Sequence, residues 1–100
     1  MKTAVFRNAQ QLAVQNQNSF EAPDKADLDS IRPGSFIKVC AEAQGKAERF
    51  WILVTKVEQS PTGPLYTGEV NNDLLRTEFH GLAYGDIVQV DFRHVYAVMT

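Results

Sequence analysis

Cys40 is the only cysteine among 100 residues. That excludes an internal disulfide framework and predicts a reducing compartment, the cytoplasm. No apolar run approaches the roughly 20 residues needed to cross a bilayer, so no membrane association is expected. Arg7 and Asn8 interrupt the opening segment and break the apolar run that a signal peptide requires. A basic stripe is missing as well. Ten Lys and Arg stand against twelve Asp and Glu, for a net charge of −2, and Lys38, Lys46, Arg49, Lys56, Arg76 and Arg93 are scattered among acids. Duplex binders cluster their cations to displace counterions from phosphate, so duplex nucleic acid is not an expected partner. Single-strand binding through stacked aromatics stays open.

Chemical motifs are equally sparse. Two histidines and one cysteine at wide separations do not form a zinc set. Asp24, Asp27 and Asp29 lack the central glycine and terminal glutamate of a calcium loop and read as helix-capping, solvated residues. Gly81 and Gly85 lack the spacing and the helix of a phosphate-cradling loop. No metal and no cofactor are therefore expected. Paired carboxylates cannot be assigned among Glu69, Asp73, Glu78 and Asp86 without distances. Cys40 with His80 or His94 is the one conceivable nucleophile and base, and a lone cysteine in a strand reads more simply as a small core or edge residue. His94 near Asp91 or Asp86 reads as a hydrogen-bonded structural histidine.

What is present is a 44% apolar chain of ordinary globular composition, long enough for one modest core, and it is read as one domain over residues 1–100. Residues 3–18 predict an amphipathic helix, with Thr3 as N-cap and Val5, Ala9, Leu12 and Ala13 along one stripe. Residues 20–34 form a connector, with a helical turn over 25–31 capped by Asp24. From residue 35 to 98 the period switches to that of strands. The first covers 36–42 and ends in a hairpin turn at Gln44-Gly45-Lys46. The second, 48–58, is apolar on both sides: Phe50, Ile52 and Val54 face one way, Trp51, Leu53 and Val57 the other. Both of its faces must then be covered, and the opening helix is the expected lid on one of them.

Ser60 to Pro64 predicts a loop, because proline cannot serve a central ladder. A strand over 65–70 follows, in which Gly68 marks a bulge or a close backbone approach. Asn71-Asn72-Asp73 carries residues that tolerate left-handed turn geometry. Residues 74–79 predict a short strand, Tyr84-Gly85-Asp86 a turn, 87–92 a strand, and 95–98 a last short strand or turn. Strands at this spacing suggest an α+β fold: a small, strongly bent antiparallel sheet or SH3-like partial barrel of about five strands, with the N-terminal amphipathic helix packed on it.

Four pieces, Ile31-Arg32-Pro33-Gly34-Ser35-Phe36-Ile37-Lys38-Val39, Glu48-Arg49-Phe50-Trp51-Ile52-Leu53-Val54, Tyr66-Thr67-Gly68-Glu69-Val70-Asn71-Asn72 and Gly81-Leu82-Ala83-Tyr84-Gly85-Asp86-Ile87-Val88, with His94 downstream, resemble the uncharacterised bacterial YegJ-like domain family. Together they span about residues 31–95. The resemblance implies a small β-rich domain and brings no catalytic residues with it. The chain departs from the pattern in the longer stretch 59–65 and in Asp73-Leu74-Leu75-Arg76.

A coherent core without catalytic spacing points to a non-catalytic binding or interaction module with another protein as its partner. The expected surface is a rim made by the Pro61–Pro64 loop, with Thr62 in it, by Tyr66, and by Asn71, Asn72 and Asp73. Trp51, Tyr66, Phe79 and Tyr84 are either core-filling or an aromatic face for that partner. The alternatives are an immunity or inhibitor protein that neutralises a toxin and, further off, a cysteine-dependent enzyme.

Overall fold

The computed structural model describes residues 1–15 and 22–99. In one antiparallel sheet, β2 (Phe36–Ala43), β3 (Lys46–Ser60), β4 (Gly63–Val70) and β5 (Ile87–Asp91) pair in chain order. Both β1 (Val5–Phe6) and β6 (Ala97–Met99) pair with β2. The helical parts are short: α1 (Ala9–Gln15), α2 (Lys25–Asp29), α3 (Thr77–His80) and a single 3₁₀ turn, Phe92–His94. The sheet curls into the SH3-like partial barrel expected from the strand spacing, and α1 packs on its outer face.

β3 is longer than its apolar run because the turns at both ends are tight. Gln44 and Gly45 have φ of 51° and 75°, torsions suited to a two-residue hairpin. At the other end the expected loop is a two-residue turn, Pro61-Thr62, and Gly63 and Pro64 already belong to β4. Pro64 is tolerated there because β5 stops pairing at Leu65, so its missing N–H removes no ladder bond on that side. Midway, the register passes from Val54 opposite Gly68 to Lys56 opposite Thr67, leaving Thr55 as a bulge. Bulges bend and twist a strand, and here the bend turns the sheet into a barrel. Gly68 is required at this point: a methyl group would overlap the Leu53 carbonyl oxygen and lie 2.5 Å from Ile52 Cγ2.

Alternation along β3 places Phe50, Ile52 and Val54 inside with Val39, Tyr66, Val88 and Val95. Trp51, Leu53 and Val57 are half-buried. α1 is not their lid. Its buried residue, Ala9, clusters with Cys40 and Tyr96, and reaches β3 only through Ala47. Over Trp51 lies Lys38, its ammonium 5.0 Å from the ring centroid.

The N-terminus departs from the expected helix over 3–18. Val5 and Phe6 extend along β2 opposite Glu42 and Ala41, and the Arg7 N–H donates to the Cys40 carbonyl at 2.9 Å. An open strand edge outweighs a weak local helical preference. The helix therefore starts at Ala9, with Asn8 Oδ1 accepting the Gln11 N–H at 2.9 Å in the role expected of Thr3. The expected helix positions 16–18, and residues 20 and 21 of the connector, lie outside the described residues. At its far end this segment also reaches β5, where the Lys2 N–H donates to the Ile87 carbonyl at 2.8 Å.

Two further expectations change. Residues 74–79 form no strand; Leu74 packs on the core and Thr77–His80 makes one helical turn. Nor does Asn71-Asn72-Asp73 adopt left-handed torsions, since Gln44 is the only non-glycine residue with positive φ among the described residues. Asn71 instead extends the ladder, its N–H donating to the Trp51 carbonyl at 2.9 Å. The Asn72 side chain accepts the Trp51 N–H at 2.6 Å.

Candidate functional site

The structure does not assemble the expected rim. Thr62 and Asn71 flank the two ends of β4, and at about 3.3 Å per residue they are roughly 30 Å apart along the strand. Tyr66 is 1% exposed and belongs to the barrel core. Asn71 and Asn72 are half-buried and bonded to Trp51, leaving Asp73 exposed beside them. Of the other aromatics in question, Tyr84 is exposed while Trp51 and Phe79 are half-buried.

Thr62 belongs to a different assembly. With Gly63 and Pro64 it forms one wall of a hollow of about 370 Å³, in the size range of small-ligand and side-chain pockets. Leu28 and Asp29 of α2, Phe92, and Pro23 with Asp24 also line it. A second hollow, of about 400 Å³, shares Pro23 and Asp24 and continues to Asp27, Tyr96 and Val98.

Each wall has a local cause. α2 is only five residues long, and a capping box holds it: the Asp27 N–H donates to Asp24 Oδ1 at 2.9 Å, and Asp27 Oδ2 accepts the Asp24 N–H at 3.4 Å. Leu28 leans on the core, and the Pro23 carbonyl is held by Gln10 Nε2 at 3.1 Å. In the turn, Ser60 Oγ donates to the Gly63 carbonyl at 2.7 Å. Gly63, at φ 128°, lets the Phe92 ring lie against the backbone; a Cβ there would sit 2.6 Å from Phe92 Cε1. The 3₁₀ turn is anchored by Asp91, whose carboxylate accepts from the Arg93 N–H and from Arg93 Nη2, both at 2.8 Å. Burial raises the Asp91 pKa, but the bonds from Arg93 outweigh it and hold the carboxyl below its ordinary value.

Phe92 packs against the core cluster that contains Tyr66. The Tyr66 hydroxyl is buried and has no hydrogen-bond partner among the described residues. Burial first, then the charges of Asp29 and Asp91, push its pKa up to about 12. A buried polar atom without a partner needs a reason.

Comparisons with family models, curated proteins and solved structures find no match.

The remaining chemistry-bearing residues occupy separate places. Cys40 is buried in a small cluster with Ala9 and Tyr96. The Tyr96 pKa is raised, by burial first and then by Cys40 beside it. His80 accepts the Leu82 N–H at Nδ1 (3.1 Å) and meets Glu48 Oε1 through Nε2 at 2.8 Å, which assigns the neutral ring's proton to Nε2. His94 accepts the Asp91 N–H at Nδ1, 3.1 Å, and burial lowers its pKa. Among the described residues no His, Cys, Asp and Glu group has the arrangement of a metal site, and no helix is long and apolar enough to cross a membrane.

Of the hollow's residues, sequence reading singled out Thr62 as a binding position and Asp24 as a cap. It placed Pro64 in the loop of the rim and passed over Leu28 and Phe92. Their one local signal is that each is an apolar residue at the edge of an element; their convergence has no local signal.

Proposed function

We propose that this chain is a non-catalytic binding module of the cytoplasm, and that it takes its ligand in the hollow between α2, the β3–β4 turn and Phe92. The observation that carries this reading is the convergence there of three separate segments on one concavity, with Leu28, Pro64 and Phe92 as its apolar surface and Asp24, Lys25, Asp29 and Thr62 as its polar groups. Ligand sites have this composition. The dispersal of Cys40, His80 and His94 into separate hydrogen-bonded settings supports a role without chemistry. The YegJ-like resemblance of residues 31–95 fits the reading, as a small β-rich domain without catalytic residues. No feature of the site favours the toxin-neutralising alternative.

The test is amide shift mapping by NMR with a library of small aliphatic and aromatic amides and amines. Shifts are expected to gather at residues 24–29, 62–64 and 92. Thr62→Trp, whose indole would extend into the hollow from an exposed turn, is expected to remove them with the rest of the spectrum unchanged. Shifts confined to residues 71–73, or none anywhere, would overturn the assignment.

A further inference from the structure

Resting on that reading, we infer that the occupant is an extended partner peptide in which apolar residues alternate with arginine or lysine, lying from the hollow across Pro23 and Asp24 to β6. Three observations lead there. First, the two hollows share Pro23 and Asp24 and together form one groove. A small molecule would fill one compartment, whereas a chain with a side chain every second position can use both.

Second, the charges along the groove do not balance. Among the described residues, Asp24, Asp27 and Asp29 line it with Lys25 as the one cation, and Asp91 and Arg93 flank Phe92. Lys25 is engaged by Asp29 and Arg93 by Asp91, each at 2.8 Å. Asp24 and Asp27 have no ion pair among the described residues; they exchange capping bonds with each other's backbone. Both line the groove midway, so a cationic side chain crossing there meets two uncompensated carboxylates. An acidic one meets repulsion.

Third, among the described residues β6 at the far end pairs with β2 alone. Its other side is a strand edge of the kind to which an extended peptide adds by main-chain hydrogen bonds. In this arrangement the hollow takes one apolar side chain against Leu28, Pro64 and Phe92. The carboxylates select the cation beside it, and β6 holds the backbone.

The experiment uses the whole chain and three pools of decapeptides, in which apolar residues alternate with arginine, glutamine or glutamate, read by fluorescence anisotropy. The arginine pool is expected to bind about three- to tenfold more tightly than the glutamine pool, the scale of two partly exposed ion pairs, and the glutamate pool not at all. Asn caps helices as well as Asp does, so the double variant Asp24→Asn, Asp27→Asn keeps α2 and is expected to erase the difference between arginine and glutamine. Salt is expected to do the same. Equal binding of all three pools, or a preference that survives the double variant, would overturn the inference. So would the failure of every pool while small amides still shift residues 62–64 and 92, an outcome that leaves the hollow as a small-molecule site. If neither peptides nor amides perturb the hollow, both readings fall together.

Discussion

Gly68 shows how one position can carry the curvature of a sheet. It sits opposite the Thr55 bulge, where β4 passes so close to β3 that no Cβ fits. Gly68→Ala is therefore expected to cost about 3 kcal/mol, as overpacking against backbone does. Gly45→Ala, in a turn with open space around it and φ of 75°, should cost only about 1 kcal/mol from torsional strain. Urea unfolding of both variants checks this; equal losses would mean that close packing at Gly68 is not the constraint. A glycine inside an apolar strand pattern was a readable sign of close approach. Tyr66 was readable too, by parity: it shares a strand face with Gly68 and Val70, which are buried. Assigning it to a surface rim followed its nearness to a loop and ignored that alternation.

Between β4 and β5 the chain is held by contacts that run back to β3. Glu48 accepts the N–H groups of Leu75 and Arg76, at 2.8 and 3.0 Å, as well as meeting His80. Burial pushes its pKa up, yet the Leu75 N–H, the His80 ring and the Arg76 N–H together outweigh that and leave the carboxyl below its ordinary 4.5. A depressed carboxyl pKa stabilises the fold above the unfolded value, and that contribution is lost as pH falls through the lower, folded value. Glu48→Gln is expected to cost about 1–3 kcal/mol at pH 7. The gap between variant and wild type should narrow below about pH 4.5. Hydrogen exchange should show residues 74–82 losing protection first in the variant, and uniform loss across the sheet would count against this role. A strand over 74–79 was a fair reading of Leu74 and Leu75 alone. Backbone donors captured by a carboxylate 27 and 28 positions earlier made the segment a clamped loop with one helical turn.

Closure of the barrel depends on the two ends of the described chain meeting on β2. β6 covers its edge at Phe36, Ile37 and Lys38, β1 covers Ala41 and Glu42, and the Tyr96 and Arg7 N–H groups satisfy the Lys38 and Cys40 carbonyls between them. Removing residues 1–8 would strip the β1 half of that cover, together with Ala4 and Phe6 from the margin of the core. The expected result is a loss of about 2–3 kcal/mol and self-association through the bared edge. Sedimentation and thermal unfolding of the shortened chain test it. A monodisperse product of unchanged stability would show that β2 needs no cover from β1.

The strands read at 36–42, 48–58, 65–70 and 87–92, each overlapping an observed strand without matching both of its ends, the cap at Asp24 and the close approach at Gly68 follow from short-range rules. Side chains alternate across a strand, a carboxylate reaches an N–H three positions away, and glycine alone goes without a Cβ. Residues within a few positions of one another settle such features, so they could be read directly from the chain. The extended path of Val5 and Phe6, the clamped loop at 71–80 and the burial of Cys40 beside Tyr96 came from partners 27 to 56 positions distant. So did the groove, whose walls at 23–29, 62–64 and 92–98 meet only after the sheet has curled. Long-range burial and edge pairing outweigh local preferences of a few tenths of a kcal/mol per residue, and those long-range terms exist only once the chain has folded.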